Sequence, residues 1–220
     1  MDVRSRLAER FPLFGLSVRT PSVELQLPTD EDLLALAPLA TDIHGPDLRP
    51  FSTPWNLGAD DEVQQRLLQY HWGRRGDFAA ASWRLELVTI VEGEVVGTQG
   101  LFAEHFSVSR SITSGSWLGR RHQGRGIGTE MRAAMLHLAF AGLGAERAVT
   151  GAIEGNAASL AVTAKLGYRP NGDDVNVDGE DRRRELRFVM DRADWEPRRR
   201  DDIELIGLER CLPLFGLGEP

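Results

Sequence analysis

One stretch of nine residues decides the fold more than any other, and it reads Arg121-His122-Gln123-Gly124-Arg125-Gly126-Ile127-Gly128-Thr129. It follows an apolar run typical of a β-strand and precedes apolar residues at helical spacing. Glycines at 124, 126 and 128 allow positive φ angles and a close approach of the backbone to a ligand. The N–H groups at the start of the helix then point into the loop and favour a phosphate. The stretch therefore predicts a phosphate-binding turn of an α/β protein.

Two common phosphate-binding motifs do not fit this stretch. A Walker loop needs Lys-Ser/Thr after its last glycine, whereas Arg125-Gly126 follows Gly124. A Rossmann fingerprint needs its third glycine at the position that Thr129 occupies. For the loop taken alone, a glycine-rich helix cap with no ligand is the remaining alternative.

The rest of the chain alternates between strand and helix patterns. Apolar runs predict strands over 17–27, 85–91, 95–102, 114–118 and 148–153, around residue 175, and over 186–190. Helices are predicted from residue 29 onward, over about 60–72, from 126 to near 142 and over 156–166. Phe51 and Trp55 predict that the proline-rich segment 45–58 is an ordered loop, because disordered linkers seldom carry large aromatic side chains.

Composition and charge exclude several classes of protein. The chain has 220 residues, with 26 Lys and Arg against 33 Asp and Glu and a formal net charge of −7. A hydrophobic share of 41% and a charged share of 27% are ordinary for a globular protein and exclude wholesale disorder, a collagen-like repeat and a coiled-coil rod. The acidic balance argues against a nucleic-acid partner, because a protein that binds nucleic acid needs an excess of Lys and Arg. No apolar run is long enough for a membrane span or a signal peptide, so no membrane partner is expected.

Cysteine and histidine limit the redox and metal chemistry. Cys211 is the single cysteine of the sequence, so neither an intramolecular disulfide nor a thiolate metal cluster can form. Together with the lack of a signal peptide, this predicts a cytoplasmic protein. The histidines do not fall at metal-ligand spacing, and we expect no metal.

The segment from Asp174 to Glu185 matches the ligand pattern of an EF-hand calcium loop. Its surroundings argue against calcium, because Val175 and Val177 alternate with the acidic residues and residues 186–190 read as a strand. Three consecutive arginines at 182–184 would also repel a cation. We therefore expect the acidic turn of a β-hairpin, at about residues 178–181, and no calcium site.

The glycine-rich loop and a second block together resemble a known family. Arg121-x-x-Gly124-x-Gly126 is similar to the (Q/R)-x-x-G-x-(G/A) acyl-CoA pyrophosphate loop of the GNAT N-acyltransferases. Asn156-Ala-Ala-Ser159, followed by Lys165-Leu166-Gly167-Tyr168, resembles their second cofactor motif at a fitting distance. The resemblance is good over 83–190, looser over 18–72 and absent from the tails. It is strongest for the RimJ/RimL-like branch, related to ribosomal-protein N-terminal acetyltransferases, and for actinobacterial members.

The resemblance implies an α/β fold of the GNAT type, with a mixed, twisted central sheet that splays at the acyl-CoA site and helices on both faces. It implies transfer of an acyl group, acetyl or succinyl, from acyl-CoA to a primary amine of a small molecule, a protein N-terminus or a lysine. Two alternatives stay open, a non-catalytic acyl-CoA-binding regulatory module and a nucleotide-binding domain that uses the same loop. Asn156 at its downstream spacing argues against the nucleotide alternative.

Residue by residue, the resemblance implies a cofactor site along the loop and the strand before it. The backbone amides of residues 123–128 are expected at the pyrophosphate, and Trp117 and Leu118 are expected to pair with the pantetheine arm like a neighbouring strand. Arg121 or Arg125 would supply charge. The whole expected cofactor-binding set is Trp117, Leu118, Arg121, Gln123, Gly124, Arg125, Gly126, Ile127, Gly128, Thr129, Asn156 and Ser159.

The group near the sulfur and the oxyanion donor are also implied by the resemblance. Many family members have a tyrosine seven residues after the asparagine, where this chain has Thr163, so Ser159 is the expected group at the departing thiolate. For Asn156 and Ser159, plain helix capping is the alternative. The backbone N–H of Leu118 is the candidate donor to the oxygen of the tetrahedral intermediate.

The general base is the least defined group. Amine attack needs the neutral amine, and a carboxylate or histidine near the thioester would take up its proton. Glu104 and His105, at the end of a predicted central strand, are the candidates. A solvated strand end is the alternative for each of them.

The two tails lie outside the resemblance. Residues 1–15 are expected to be an N-terminal extension, 16–193 the GNAT domain and 194–220 a C-terminal extension. The last of these carries too many apolar side chains to remain in water. We expect residues 202–217 to form an ordered strand or helix that packs on the segment 11–16 or across a homodimer interface.

Overall fold

The structure is a computed structural model that describes residues 2–45, 48–178 and 181–218. In these residues the chain forms one open, nine-stranded sheet. Its strands are β1 (Ser17–Arg19), β2 (Glu24–Gln26), β3 (Ser82–Val91), β4 (Glu94–Glu104), β5 (Ser111–Leu118), β6 (Arg147–Ile153), β7 (Arg169–Asp178), β8 (Asp181–Asp191) and β9 (Glu204–Ile206). Their order across the sheet is β7-β8-β6-β5-β4-β3-β2-β1-β9.

The sheet is mixed, as predicted. Neighbouring strands run antiparallel with a single exception, the parallel pair β5 and β6. A parallel pair needs a crossover connection, and here that connection contains the glycine-rich loop and a helix. The loop is therefore placed at the end of β5 by the topology of the sheet.

The helices account for the remaining regular structure of the described residues. They are α1 (Val3–Ala8), α2 (Asp30–Leu36), α3 (Asp60–Gly76), α4 (Phe106–Ser109), α5 (Ile127–His137), α6 (Ala157–Leu166) and α7 (Arg192–Trp195), with short 3-10 and π turns between some of them. Helix α2 begins at a capping box, in which Thr29 and Asp32 each bond the other's backbone N–H. Among the described residues, every helix is too short or too polar to cross a membrane.

Helices pack on both faces of the sheet. Val88 of β3 packs in an apolar cluster with Leu33 of α2 and Leu67 of α3. Its neighbour Thr89 bonds the sulfur of Met131 in α5 at 3.4 Å. Because consecutive strand residues point to opposite faces, α3 and α5 lie on opposite sides of the sheet.

The two parallel strands diverge part-way along their length, as the family resemblance implies. Pairing between β5 and β6 extends from Ser111 and Arg147 to Ser114 and Thr150 and ends there. Residues 115–118 and 151–153 continue their own strands without pairing to each other. We call the wedge between these two strand ends the splay.

The EF-hand-like segment is part of a β-hairpin. Strands β7 and β8 pair antiparallel from Arg169 and Val189 to Asp178 and Asp181. This confirms the predicted hairpin, whose turn residues Gly179 and Glu180 lie outside the described residues. An antiparallel hairpin does not present the helix-loop-helix arrangement of an EF-hand.

The C-terminal extension adds a strand to the sheet and an aromatic ring to the hydrophobic core. Strand β9 pairs antiparallel with β1, and residues 209–215 form a 3-10 helix. The Phe215 ring is fully buried, 5.0 Å from the ring of Trp83 and 5.5 Å from that of Phe78. Residues 202–217 thus pack on the chain's own sheet, and the homodimer stays a prediction.

A charged contact also fastens this extension to α5. The guanidinium of Arg200 donates to both carboxylate oxygens of Glu130 at 2.8 Å and bonds Asp202 as well. Glu130 lies in the first turn of α5, directly after the glycine-rich loop. The extension therefore supports the helix on which the loop depends.

Removal of the Phe215 ring tests this packing. We expect Phe215→Ala to lower the free energy of unfolding by about 3 to 5 kcal/mol, because it leaves a cavity between aromatic rings. The matched control is Ile206→Ala in β9, a side chain that is 38% exposed, with an expected cost below about 1 kcal/mol. Urea unfolding measures both, and equal small losses would show that the extension does not contribute to the core.

Candidate active site

A cavity of about 580 Å³ opens at the splay. Its walls come from strands β3 to β6 and β8, from helices α3, α5 and α6, and from the loop 50–55. The side chains that carry chemistry there are Tyr70, Arg84, Glu86, Ser116, Arg132, Ser159, Glu185 and Arg187. The cavity therefore passes between the two diverging strands and reaches both faces of the sheet.

The glycine-rich loop presents a row of backbone amides beside this cavity. Within the described part of the chain, the N–H groups of residues 124–128 donate to no carbonyl or side chain. Gly124 and Gly126 have φ angles of +72° and +85°, and a Cβ at either position would meet no atom within 4 Å. Successive amides with such angles form a concave anion site, here at the start of α5.

The side chains of Gln123 and Arg121 brace the loop from behind. Gln123 Nε2 donates to Ile43 O at 2.7 Å and to Leu118 O at 2.9 Å. Arg121 forms an ion pair with Glu94 and donates to His122 Nε2. The structure also favours a second frame of the motif, Gln123-x-x-Gly126-x-Gly128, because Gly126 is the residue that directly precedes α5.

The other expected loop residues occupy different environments. Arg125 is exposed beside the amides, so its guanidinium can reach a phosphate. Ile127 is buried and belongs to the core. The Thr129 N–H donates to Gly126 O at 3.0 Å and closes the first turn of α5. Gly128 faces α6, where an added Cβ would lie 3.6 Å from a methyl group of Val162.

The edge of β5 that faces the splay offers strand-like hydrogen bonds. The Gly119 N–H donates to Val96 O at 3.0 Å, which lies on the β4 side. Because N–H directions alternate along a strand, the N–H groups of Leu118 and Ser116 point away from β4, toward the diverged β6. Trp117 lines the cavity on this edge, whereas the Leu118 side chain is buried.

Asn156 and Ser159 lie together across the cavity, at the start of α6. The Asn156 side chain accepts a hydrogen bond from the Ser159 N–H at 3.1 Å, so Asn156 is a helix cap. Both residues also line the cavity. Thr163, at the position where the resemblance implies a tyrosine in many members, is buried, and its Oγ1 donates to Ser159 O at 2.8 Å.

An aromatic roof covers the cavity on the α3 face. The ring of Phe51 lies 5.2 Å from that of Trp55, which in turn lies 5.8 Å from Trp117 of β5. Arg66 of α3 bonds Trp55 O, and Arg183 of β8 bonds Phe51 O. In the described part of the loop predicted to be ordered, residues 48–58, hydrogen bonds therefore connect the backbone to α3 on one side and to β8 on the other.

Glu86 of β3 places a buried carboxylate in this cavity. The residue is 7% exposed, and its Oε1 accepts a hydrogen bond from the Tyr70 hydroxyl. Burial raises the pKa of Glu86 to about 7, against smaller opposite effects of Tyr70 and of Arg84 and Arg74. A carboxyl group with this pKa can gain and lose a proton at neutral pH.

Two glycines open the path from Glu86 to the splay. Glu86 pairs with Gly100, which pairs with Gly115 of β5, so the three residues share one face of the sheet. A Cβ on Gly100 would lie 2.7 Å from Glu86 Oε2. The carboxylate therefore rests over Gly100, directed at the strand edge where the splay begins.

Glu104 and His105, the expected bases, lie elsewhere. Both are exposed, and the register that pairs Gly97 with Leu118 places Glu104 about 23 Å along β4 from that pair. Neither residue lines the cavity. His71 does line it, but burial lowers the pKa of His71 to about 4, which leaves a weak base.

The sequence contains a signal for Glu86 that lies outside the family motifs. In the run Ser82–Val91 a glutamate stands between Leu85 and Leu87, and the residue after them, Val88, is apolar as well. A carboxylate inside such a run is rare in a core unless it is paired or functional. Gly100 on the next strand is the complementary signal.

A family model for the Acetyltransferase (GNAT) domain matches residues 22–169, which include the loop, the splay and the start of α6. The chain belongs to the GNAT acetyltransferase family. The predicted family and the predicted class, an acyl-CoA-dependent N-acyltransferase, are confirmed.

Solved structures of other members share the fold. RimJ from Mycobacterium smegmatis in complex with CoA-disulfide aligns over 92% of this chain and 94% of its own, with a TM-score of 0.67 and 24% identity. RimL, a ribosomal L7/L12 alpha-N-protein acetyltransferase in complex with coenzyme A, aligns over 78% of this chain and 95% of its own, with a TM-score of 0.62 and 17% identity. The microcin C7 self immunity acetyltransferase MccE, in complex with acetyl-CoA and AMP, aligns over 78% of this chain and 93% of its own, with a TM-score of 0.63 and 16% identity. RimJ and RimL thus stand among the GNAT structures similar to this chain, as the resemblance implied.

The loop assignment yields a binding prediction. We expect Gly126→Val to abolish CoA binding, because a β-branched residue strongly disfavours the φ angle of +85° that aligns the amides. The matched control is Gly172→Val, at a φ of +83° in β7 and outside the cavity. Calorimetric titration with CoA measures both variants, and binding by Gly126→Val within twofold of the parent would contradict the assignment.

Proposed function

We propose that this chain transfers an acyl group from acyl-CoA to a primary amine by direct attack on the thioester. The observation that carries the proposal is the position of Glu86, whose carboxylate rests over Gly100 and faces the splay from the α3 face. The splay widens toward the end of β5 that leads into the row of loop amides. The candidate phosphate site in the loop, the free edge of β5 and the candidate base Glu86 therefore follow one another in that order.

The donor would be held along that line. The amides of residues 124–128 and the Arg125 guanidinium suit the pyrophosphate, since both offer donors to an anion. The N–H group of Ser116, on the same strand edge, suits an amide oxygen of the pantetheine arm, and the Leu118 N–H is left for the thioester carbonyl. Asn156, on the opposite wall, would contribute its side chain to the same arm.

The amine would enter from the α3 face, beneath the roof. There Glu86 takes the proton of the attacking nitrogen as the C–N bond forms, and Tyr70 holds the carboxylate in place. The Leu118 N–H is a donor to the carbonyl oxygen, which gains negative charge. The Ser159 hydroxyl can donate to the sulfur as the C–S bond breaks.

The donor chain is acetyl in the simplest form of this proposal. A donor with a terminal carboxylate, such as succinyl-CoA, is the second candidate. The guanidinium groups of Arg84 and Arg187, which line the same cavity, favour it because they would face that carboxylate. The acceptor is a primary amine of a small molecule, a protein N-terminus or a lysine.

Several further expectations belong to the proposal. A cytoplasmic site of action suits the single cysteine, Cys211, which is buried and reduced. A homodimer and the lack of a nucleic-acid or metal partner stay predictions. The alternative function is an acyl-CoA-binding module without turnover, for which the absence of a tyrosine at position 163 is the supporting observation.

A thiol-release screen tests the function. Acetyl-CoA and succinyl-CoA are each incubated with pools of amines, and free CoA thiol is measured with parent and Glu86→Gln. We expect thiol release with at least one amine for the parent and the loss of most of that rate for Glu86→Gln. Binding of CoA without release for any amine would favour the module, and tighter binding of ATP than of CoA would favour the nucleotide-binding alternative.

The pH dependence of turnover tests the role of Glu86. Only the ionised carboxylate accepts a proton, so we expect kcat to fall below about pH 7 with a slope of one. In Glu86→Gln this limb should disappear together with most of the rate, while CoA affinity stays unchanged. A parent profile that is flat between pH 5 and 8 would contradict this assignment.

The role of Ser159 is tested separately. If its hydroxyl assists the thiolate, Ser159→Ala should lower kcat about tenfold, about 1.4 kcal/mol of barrier, with donor affinity little changed. The matched control is Ser107→Ala, an exposed helical serine in α4 outside the cavity, which should keep the parent rate. Equal losses of affinity and rate would reduce Ser159 to a cofactor contact or a cap.

A further inference from the structure

The wall of the cavity includes a buried arginine to which the proposed reaction assigns no role. Arg132 of α5 is 4% exposed and lines the cavity. Within the described residues its guanidinium forms no ion pair with a carboxylate. The neighbouring Tyr168 phenol favours its charged form, and the Arg132 Nε is buried without a hydrogen-bond partner. A buried charge with no counter-ion is costly, so its retention at a cavity wall points to a ligand.

Arg132 acts on the splay through two hydroxyl groups. Its Nη2 donates to Ser116 Oγ at 2.9 Å and its Nη1 to Thr150 Oγ1 at 3.3 Å. The Thr150 hydroxyl hydrogen is used, because it donates to Ser114 O at 3.2 Å. In the described residues the Ser116 hydroxyl donates to no protein acceptor, so its hydrogen is available to a ligand.

The guanidinium makes this hydroxyl a stronger donor. Ser116 Oγ accepts from a cation that stays protonated at all accessible pH values, even though burial lowers the pKa of Arg132. A hydroxyl that accepts a charge-assisted hydrogen bond is polarised and donates more strongly itself. Ser116 is half-buried and lines the cavity, so a ligand in the splay can reach it.

Ser116 and Glu86 stand on opposite sides of the reaction space. Glu86 shares a face of the sheet with Gly115, and Ser116, the next residue, points to the other face. An amine that is deprotonated by Glu86 attacks the carbonyl carbon from the α3 face. As the carbon becomes tetrahedral, its oxygen moves away from the attacking nitrogen, toward the α5 face.

We propose that the Ser116 hydroxyl, held and polarised by Arg132, is a second donor to the thioester oxygen, beside the Leu118 N–H. The amine lone pair forms the C–N bond, and the electron pair of the C=O double bond moves to the oxygen that Ser116 and Leu118 hold. That pair then re-forms the double bond, the C–S bond breaks, and the thiolate leaves while Glu86 holds the proton from nitrogen. The inference rests on the proposed acyl transfer and adds Ser116 as a catalytic residue and Arg132 as a positioning residue.

Infrared spectroscopy tests this proposal without turnover. Acetyl-CoA with a ¹³C-labelled carbonyl is bound in the absence of an amine, and the position of the carbonyl band is compared with that of the free thioester. We expect a shift to lower frequency in the parent, because donors weaken the C=O bond. Ser116→Ala should lose half of this shift or more, lower kcat by at least about tenfold and leave the Kd for acetyl-CoA within about threefold.

Two further variants keep the test decisive. Ser116→Thr retains a hydroxyl and should keep most of the band shift, and Ser111→Ala, on the same strand outside the cavity, should match the parent. A full band shift and full kcat in Ser116→Ala would overturn the inference and leave the proposed function standing. A parent that binds no acetyl-CoA would overturn both.

Discussion

The early end of the β5–β6 pairing is the constraint on which the rest of the site depends. Beyond Ser114 and Thr150 the two strands keep their extended backbone but no longer satisfy each other's N–H and C=O groups. A ligand that itself behaves like a strand could satisfy both edges, and a chain of amides such as pantetheine has the groups to do so. The crossover that makes these strands parallel contains the glycine-rich loop, so the row of loop amides lies at the same end. In open sheets with parallel strands, ligands bind at this carboxyl end.

Two buried ionisable side chains give the two faces of the splay different chemical properties. Glu86 lies on the α3 face and Arg132 on the α5 face, and in the described residues neither is paired with an opposite charge within the cavity. In a site of low dielectric, groups of this kind act strongly on a substrate and cost stability when the site is empty. Gly100 shows how tightly the arrangement is built, since a single methyl group there would displace the carboxylate. The cavity thus has a proton acceptor on the α3 face and hydrogen-bond donors on the α5 face. Amine addition to a carbonyl requires this arrangement.

The sequence predicts the parts of this molecule that depend on local patterns. Glycine alternation predicts the loop at 124–128, apolar runs predict the strands and hairpins around it, and the family resemblance implies the mixed sheet. The proposed general base, Glu86, could not be predicted in the same way, because its position in the cavity depends on strand register. Nothing near Glu86 in the sequence tells that it pairs with Gly100, and through it with Gly115, whereas Glu104 stood at a strand end where catalytic groups are often found. Arg132 was equally hidden, since its partners Ser116 and Thr150 lie on two other elements.

The C-terminal extension shows that a family match and a packing unit need not have the same limits. The family model ends at residue 169, and the composition changes near 194, yet the aromatic core around Trp83 is completed by Phe215. Strand β9 also covers β1, which would otherwise be a three-residue edge strand with open hydrogen-bonding groups. At the other end of the extension, Arg200 forms an ion pair with Glu130 in the first turn of α5. The loop amides directly before this turn are those proposed to bind the pyrophosphate. A carboxylate left without its partner at this helix start would repel a pyrophosphate, so the extension that closes the core also keeps the loop suited to its ligand.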